Sequence, residues 1–292
     1  MNNRNTKTLP SALPDGSILL EGAWLVERAL VSGLEVPEIL CVPSRRPWAE
    51  ALLVRVAAES AGSSTGPAFS RPILRIMPEK DLSQVAGYAF HRGVLAHALR
   101  PREQSAADMI PGGTGIDRKA SDMRDLRGMQ GAQGALILAL PETVDPENLG
   151  ACFRNAAAFG CTGLLIGPKC PDPLCRRVLR VSMGASLSLP WARMQNPDSL
   201  QNFGQAGFTV AACVLDPDAA DLRTWHRPPL LVLVLGNEAY GLSPEWLVVC
   251  TSRLTLPMGA GTDSLNVATA GAVFLFALTS PDAERHKISK AG

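Results

Sequence analysis

The sequence lacks the means for a metal centre or a disulfide framework. Its seven cysteines, at 41, 152, 161, 170, 175, 213 and 250, form no C-x-x-C pair, and only four histidines accompany them. Odd in number, scattered and mostly set in apolar surroundings, they read as reduced core residues, so no structural metal is expected. No apolar run is long enough to cross a bilayer, and the N-terminal M-N-N-R-N-T-K-T-L-P has no apolar centre of the kind a signal peptide carries. A cytoplasmic protein without a membrane partner is the expectation. Lysine is scarce, 6 against 22 arginines, and the net charge is only +1, so no basic excess announces nucleic acid. Arginine's planar fork suits phosphate and base edges better than an ammonium does, but a GC-rich genome produces the same bias. Composition therefore leaves the partner open. No G-x-G-x-x-G follows a candidate strand, which argues against a dinucleotide-binding dehydrogenase.

What is present is enough material for two cores. A chain of 292 residues with 46% hydrophobic and 19% charged residues has the make-up of a two-domain globular protein. Residues 1–16 are polar and read as a tail. Apolar positions Leu20, Ala23, Trp24, Val26, Ala29 and Leu30 recur at helical spacing and predict a helix from Leu19 to Gly33. Strands are predicted at Glu38–Val42, Ile73–Met77 and Gly93–Leu99, with helices opening at Pro47 and Pro78 and a Gly/Ser loop at Ala61–Pro67. This alternation makes 17–100 a small α/β domain. Residues 101–133 have no sustained apolar period and are rich in Gly and charge, as a flexible linker is. The Gly112-Gly113-Thr114-Gly115 run inside it has neither a preceding strand nor a following apolar helix, so it is not read as a phosphate loop.

A second domain, 134–282, follows, with a short tail at 283–292. Ala135–Leu140 and the continuous apolar run Pro229–Leu235 predict central parallel strands buried on both faces. Asp145-Pro146 supplies an N-cap and a first-turn proline for a helix burying Leu149, Cys152, Phe153, Ala156 and Ala157 up to Gly160. Further strands are predicted at Gly163–Gly167, Phe208–Leu215 and Arg253–Leu256, with an extended stretch at Leu187–Pro190. Helices are predicted at Pro173–Met183, Ser199–Ala206 and Pro244–Val249, and from Ser264 onward. Repeated strand–helix units of this kind give a doubly wound α/β sheet that binds ligands beyond its strands' C-terminal ends. The last helix is apolar nearly all round, which suits burial against both a core and a second subunit. Polar residues at its start are informative, because a helix N-terminus presents free N–H groups and partial positive charge. Asp263 or Ser264 acting as a plain N-cap is the simpler alternative.

Three segments put polar residues at such strand ends: N-L-G-A-C-F-R (148–154), L-G-N-E-A-Y-G-L (235–242) and L-P-M-G-A-G-T-D-S-L-N-V (256–267). Together they resemble the SpoU (TrmH) branch of the SPOUT RNA methyltransferases, whose motifs run N-x-G-x-x-x-R, G-x-E-x-x-G-L and I-P-M-x-x-x-x-x-S-L-N-V in that order. R-N-A-A-A-F-G (154–160) and D-P-L-C-R-R-V-L-R-V-S-M-G-A (172–185) extend the likeness over about 134–280. Glu21-Gly22 and H-R-G-V-L-A (91–96) match the family's small RNA-binding domain more weakly.

The resemblance implies a parallel-sheet SPOUT domain with a C-terminal trefoil knot, a homodimer, and S-adenosyl-L-methionine as cofactor. It further implies methyl transfer to a ribose 2′-hydroxyl of structured RNA, ribosomal RNA being favoured over transfer RNA. A tRNA-directed enzyme and a catalytically silent RNA-binding or ribosome-assembly factor remain the alternatives. Cofactor contacts are implied for Leu235, Gly236, Asn237, Gly241, Leu256, Met258, Leu265 and Asn266, with glycines 236, 259 and 261 leaving the backbone approachable. Arg154, Asn148, Glu238, Ser264 and Asn266 form the implied catalytic set. Since a guanidinium stays protonated near neutral pH, Arg154 is expected to bind phosphate and stabilise a developing alkoxide rather than act as a free base. Glu238 either orients Arg154 or Asn148 or accepts backbone N–H groups. Asn148 ties loops together, and Asn266 orients substrate or a facing motif, a plain helix cap being the simpler alternative. Arg176, Arg177 and Arg180, close on one helix, and His91 with Arg92 on the small domain are candidate RNA contacts or solvated surface. Where the family often has N-V-S, this chain has Asn266-Val267-Ala268 and so lacks a hydroxyl.

Overall fold

A computed structural model describes residues 16–61, 70–110, 134–259 and 264–280. The two predicted tails (residue 16 apart), most of the Gly/Ser loop, the glycine run at 112–115, Gly261 and Asp263 lie outside the described residues. Contacts divide the chain into two compact units, Met1–Arg102 with Leu174–Arg176, and Glu103–Pro173 with Arg177–Gly292.

In the first unit, β1 (Ser17–Glu21), α1 (Ala23–Val31), β2 (Glu38–Cys41), α2 (Arg46–Ala61), β3 (Ile73–Ile76), α3 (Glu79–Ala86) and β4 (Val94–Leu99) alternate along the chain. The sheet runs β1-β4-β2-β3, antiparallel except for the parallel pair β2–β3. The helix predicted from Leu19 begins only at Ala23. Ile18 and Leu20 are buried in alternation and pair along the whole of β4, and Gly22, at φ 92°, breaks the strand from the helix. A period of two and a period of 3.6 overlap at Leu20, and the long antiparallel partner decides between them. Beneath the sheet, Leu40, Met77, Leu82, Phe90 and Leu95 form a core.

The second unit is a parallel sheet. Its strands are β5 (Gln104–Ser105), β6 (Ala135–Leu140), β7 (Gly163–Ile166), β8 (Trp191–Arg193), β9 (Thr209–Cys213), β10 (Ala220–Asp221), β11 (Leu230–Val234) and β12 (Ser252–Thr255). They are ordered β10-β12-β9-β11-β6-β7-β8-β5. All six residues of β6 are buried. So is most of β11, which lies between β6 and β9. Burying each large aliphatic side chain of these strands contributes about 1.5–3 kcal/mol. Helices α4 (Pro146–Ala158), α5 (Arg176–Val181), α6 (Ala185–Ser188), α7 (Asp198–Gln205), α8 (Pro244–Leu247) and α9 (Val267–Thr279) complete it. Gly150 explains one motif position, since a Cβ there would come within 2.8 Å of Val181 Cβ on the helix packed against it.

Three boundaries differ from the sequence expectations. Residues 101–110, expected as part of a linker, contribute to the second unit's sheet and core. Gln104–Ser105 pairs with β8, Ser105 and Asp108 form a capping box on the turn Ala106–Met109, and Ala106 is buried in the core. A two-residue strand has no periodicity to read, which is why composition hid it. The helix expected over Pro173–Met183 is shorter and is followed by α6, so the expected extended stretch at Leu187–Pro190 is displaced to β8. Gly184, at φ 74°, separates the two helices.

Burial pushes the thiols of Cys152 and Cys161 up to about 12, and those of Cys170 and Cys250 up to about 11. The folded chain therefore holds these thiols neutral, while in the unfolded chain they ionise near their ordinary value of 9.0. Their contribution to stability is complete below pH 9, and it declines as pH rises from there towards about 12. Urea unfolding followed across pH 8 to 11 is expected to show the midpoint falling above pH 9. At pH 8 iodoacetamide is expected to leave Cys152 and Cys161 unmodified until denaturant is added.

Candidate active site

The C-terminal ends of β6, β9, β11 and β12 are neighbours in the sheet, so the loops they feed emerge side by side. The loop after β11 is folded tightly on itself. Asn237 and Gly241 exchange both backbone hydrogen bonds, at 2.8 and 2.9 Å, and Asn237 Oδ1 accepts from Ala239 N at 2.8 Å. Gly241 has φ +71°, a conformation L side chains rarely adopt. A Cβ on Gly236 would lie 2.4 Å from the Gly241 carbonyl carbon, so the turn closes only over glycine. Glu142, just past β6, pins this loop from outside. Its carbonyl accepts from Asn237 Nδ2 at 3.1 Å and its Oε2 accepts from Ser243 N at 2.8 Å.

A second set of bonds joins all three motif segments. Asp145 caps α4, its Oδ1 accepting from Glu147 N at 3.0 Å, which places Asn148 in the first turn. Asn148 Nδ2 donates to the Glu238 carboxylate, while its Oδ1 accepts from Asn266 Nδ2 at 2.9 Å. Asn266 is the N-cap of α9, its Oδ1 accepting from Ala268 N at 2.9 Å and Thr269 N at 3.3 Å. The cap is thus two residues later than Ser264. The same two helices are joined a second time where Asn155 Nδ2, two turns past Asn148 on α4, donates to Ala268 O in the first turn of α9 at 2.8 Å.

Beside this relay lies a cavity of about 530 Å³. Its walls include Leu235, Gly236, Asn237, Gly241, Leu256, Met258 and Leu265, seven of the eight residues expected to touch cofactor; Asn266 is not among them. Glu238 and Ser264 line it as well. Asn148 and Asn266 act behind the wall through Glu238, and Arg154 is exposed on α4, apart from the wall and without a polar partner among the described residues. Sequence reasoning missed Cys213, Val214 and Leu215 at the end of β9 and just past it, although a strand end placed beside β11 had to open on the same side. It also missed Glu142, whose role depends on a loop a hundred residues away.

The candidate RNA contacts are spread out. Arg177 pairs with Glu147, and Arg176 pairs with Glu21 and lies over the Tyr88 ring, 4.5 Å from its centroid. Arg180 is exposed. His91 and Arg92 are exposed on the first unit, with His91 Nδ1 2.8 Å from Glu79 Oε1. Among the described residues no His, Cys, Asp and Glu cluster could hold a metal ion, and no helix is long and apolar enough to cross a membrane.

The model of the SpoU rRNA Methylase family matches residues 135–276, the stretch that contains the cavity and the relay. An uncharacterized tRNA/rRNA methyltransferase from Mycobacterium bovis is 34% identical over 278 residues, covering 91% of this chain and 83% of that protein. The chain belongs to the SpoU family. The Acinetobacter baylyi 23S rRNA (guanosine-2′-O-)-methyltransferase RlmB is 28% identical over 197 residues, 67% of this chain and 73% of that one. The crystal structure of an AdoMet-bound rRNA methyltransferase from Sinorhizobium meliloti, 26% identical, superposes with a TM-score of 0.69 over 93% of this chain and 88% of that one.

Because asparagine and aspartate cap helices about equally well, Asn266→Asp is expected to keep the stability of α9, whereas Asn266→Ala costs about 0.5–2 kcal/mol. Thermal unfolding of the two variants measures the difference. Equal destabilisation by both would show that the donated bond to Asn148, not the cap, is what stability depends on.

Proposed function

We propose that this SpoU protein transfers a methyl group from S-adenosyl-L-methionine to a ribose 2′-hydroxyl of structured RNA, with ribosomal RNA favoured over transfer RNA. The observation that carries it is the relay Glu238–Asn148–Asn266, which gathers the three motif segments at one cavity. The cavity fits such a cofactor. Leu235, Leu256, Leu265 and Val267 offer apolar walls to an aromatic ring, and the closely approached backbone around Gly236 and Gly241 offers amide donors and carbonyl acceptors. The cofactor would supply a methyl group already activated on a sulfonium. The names of the Acinetobacter and Sinorhizobium relatives add support for a ribose target, for ribosomal RNA and for the cofactor.

The chain's own task is placement, because a ribose hydroxyl is a poor nucleophile and gains most from alignment and help with its proton. The Glu238 carboxylate, held by the Asn148 amide, faces the cavity and fixes the polar end of the wall. Ser264 and Met258 complete that wall. Arg154 supplies fixed positive charge to a phosphate and to the alkoxide developing at the 2′-oxygen. Its position outside the cavity wall supports a homodimer in which Arg154 serves the partner's site. So does the apolar outer side of α9, where Val273 and Phe276 are 37% and 56% exposed.

Transfer of tritiated methyl from S-adenosylmethionine to total RNA, followed by alkaline hydrolysis, tests the proposal. A methylated 2′-oxygen cannot attack its neighbouring phosphate, so label is expected in alkali-resistant dinucleotides. Arg154→Ala is expected to lower kcat by about 100-fold or more while leaving S-adenosylhomocysteine affinity unchanged. Label recovered in mononucleotides instead would overturn the ribose assignment. Cofactor binding without any transfer by the wild type would favour a silent RNA-binding factor.

A further inference from the structure

Tyr240 lines the cavity and is nevertheless 65% exposed. The chain is poor in aromatics, at 5% with two tyrosines, so an aromatic left in water beside a functional cavity calls for an explanation. Flexibility is not one. Tyr240 occupies the tip of the turn closed by the paired backbone bonds of Asn237 and Gly241, stiffened by the Ala239 N to Asn237 Oδ1 bond and tethered at Ser243 to Glu142. The ring is held out on a rigid arm. Its hydroxyl makes no hydrogen bond among the described residues, and two wall neighbours, Leu215 and Leu265, are 66% and 37% exposed. The exposed rim therefore sets one aromatic face beside Leu215, Leu265 and the polar Ser264, while the interior of the cavity is closed by buried residues such as Leu235, Val267 and Phe274.

We infer that Tyr240 is the stacking platform for the nucleobase of the nucleotide that receives the methyl group; this rests on the function proposed above. Drawing a nucleotide of structured RNA into a cavity pulls its base away from its neighbours, and the lost stacking has to be replaced. A tyrosine ring fixed at the cavity mouth replaces it, and every base has a face to stack. The platform thus holds the base without naming it. Because the face and not the hydroxyl does the work, phenylalanine serves equally well and alanine does not.

The test uses the full-length protein, tritiated S-adenosylmethionine and total RNA from cells lacking this protein, with wild type, Tyr240→Phe and Tyr240→Ala compared. Calorimetry with S-adenosylhomocysteine and size-exclusion chromatography accompany each variant. Tyr240→Ala is expected to lose about 10- to 100-fold in kcat/KM for RNA, the range one stacked base contributes. Tyr240→Phe is expected to stay within about twofold of wild type, with cofactor affinity and oligomeric state unchanged in both. Full activity of Tyr240→Ala overturns the inference alone. So does a matching loss of S-adenosylhomocysteine affinity, which would make Tyr240 part of the cofactor pocket, or a changed oligomeric state, which would make it an interface residue. Tyr240→Phe as weak as Tyr240→Ala points to the hydroxyl and overturns it too. A wild type that labels no RNA removes the underlying function and this inference with it.

Discussion

An amide side chain has two different ends, and Asn148 uses both. Its nitrogen donates to a carboxylate on one loop and its oxygen accepts from an asparagine on another, so the order of the three partners along the relay is fixed by polarity. Aspartate at the same place would offer no donor and would bring a second negative charge to Glu238. A hydrophobic residue would leave both neighbours unsatisfied. The relay is also tied into the secondary structure at both ends, because Asn148 belongs to the capped first turn of α4 and Asn266 is itself the cap of α9. Movement of either helix is therefore felt at Glu238.

The sheet makes this meeting inevitable. β6, β11, β9 and β12 are parallel and consecutive in the sheet, so every loop after them leaves from the same side. Their order in the sheet differs from their order in the chain, and segments 90 to 118 residues apart come within hydrogen-bonding distance. Glycine is what lets these loops close on one another. Gly236 passes against the backbone of Gly241, and Gly271 of α9 faces Leu235, where a Cβ would approach its Cδ1 to 2.9 Å.

Much of this was legible in the letters. β6 and β11 announced themselves as unbroken aliphatic runs because burial on both faces permits nothing else, and α4 was marked by Asp145-Pro146 before an apolar stripe. The three motif segments could be placed at the same end of the sheet because each follows a predicted strand. What was not legible depended on partners remote in sequence or on elements too short to have a period. β1 overlapped the pattern of α1 at Leu20, and β5 is two residues long. Asn266 was one of several residues able to cap α9, and only the position of Asn148 makes it serve two purposes at once. Glu142 carried no local signal, because a carboxylate after a strand gives no hint that it will hold an amide of a distant turn. Arg154 was singled out by its place in the first of the resembling motifs, and its position outside the cavity wall of its own chain could not be read from that motif.

The eight-stranded sheet is finished at each margin by a strand of only two residues, β10 on one side and β5 on the other. So short a margin offers another polypeptide almost no row of free amide and carbonyl groups to extend. Among the described residues, the sheet therefore offers β-strand addition very little edge to extend, and a broad, very apolar sheet is blunted against edge-to-edge pairing.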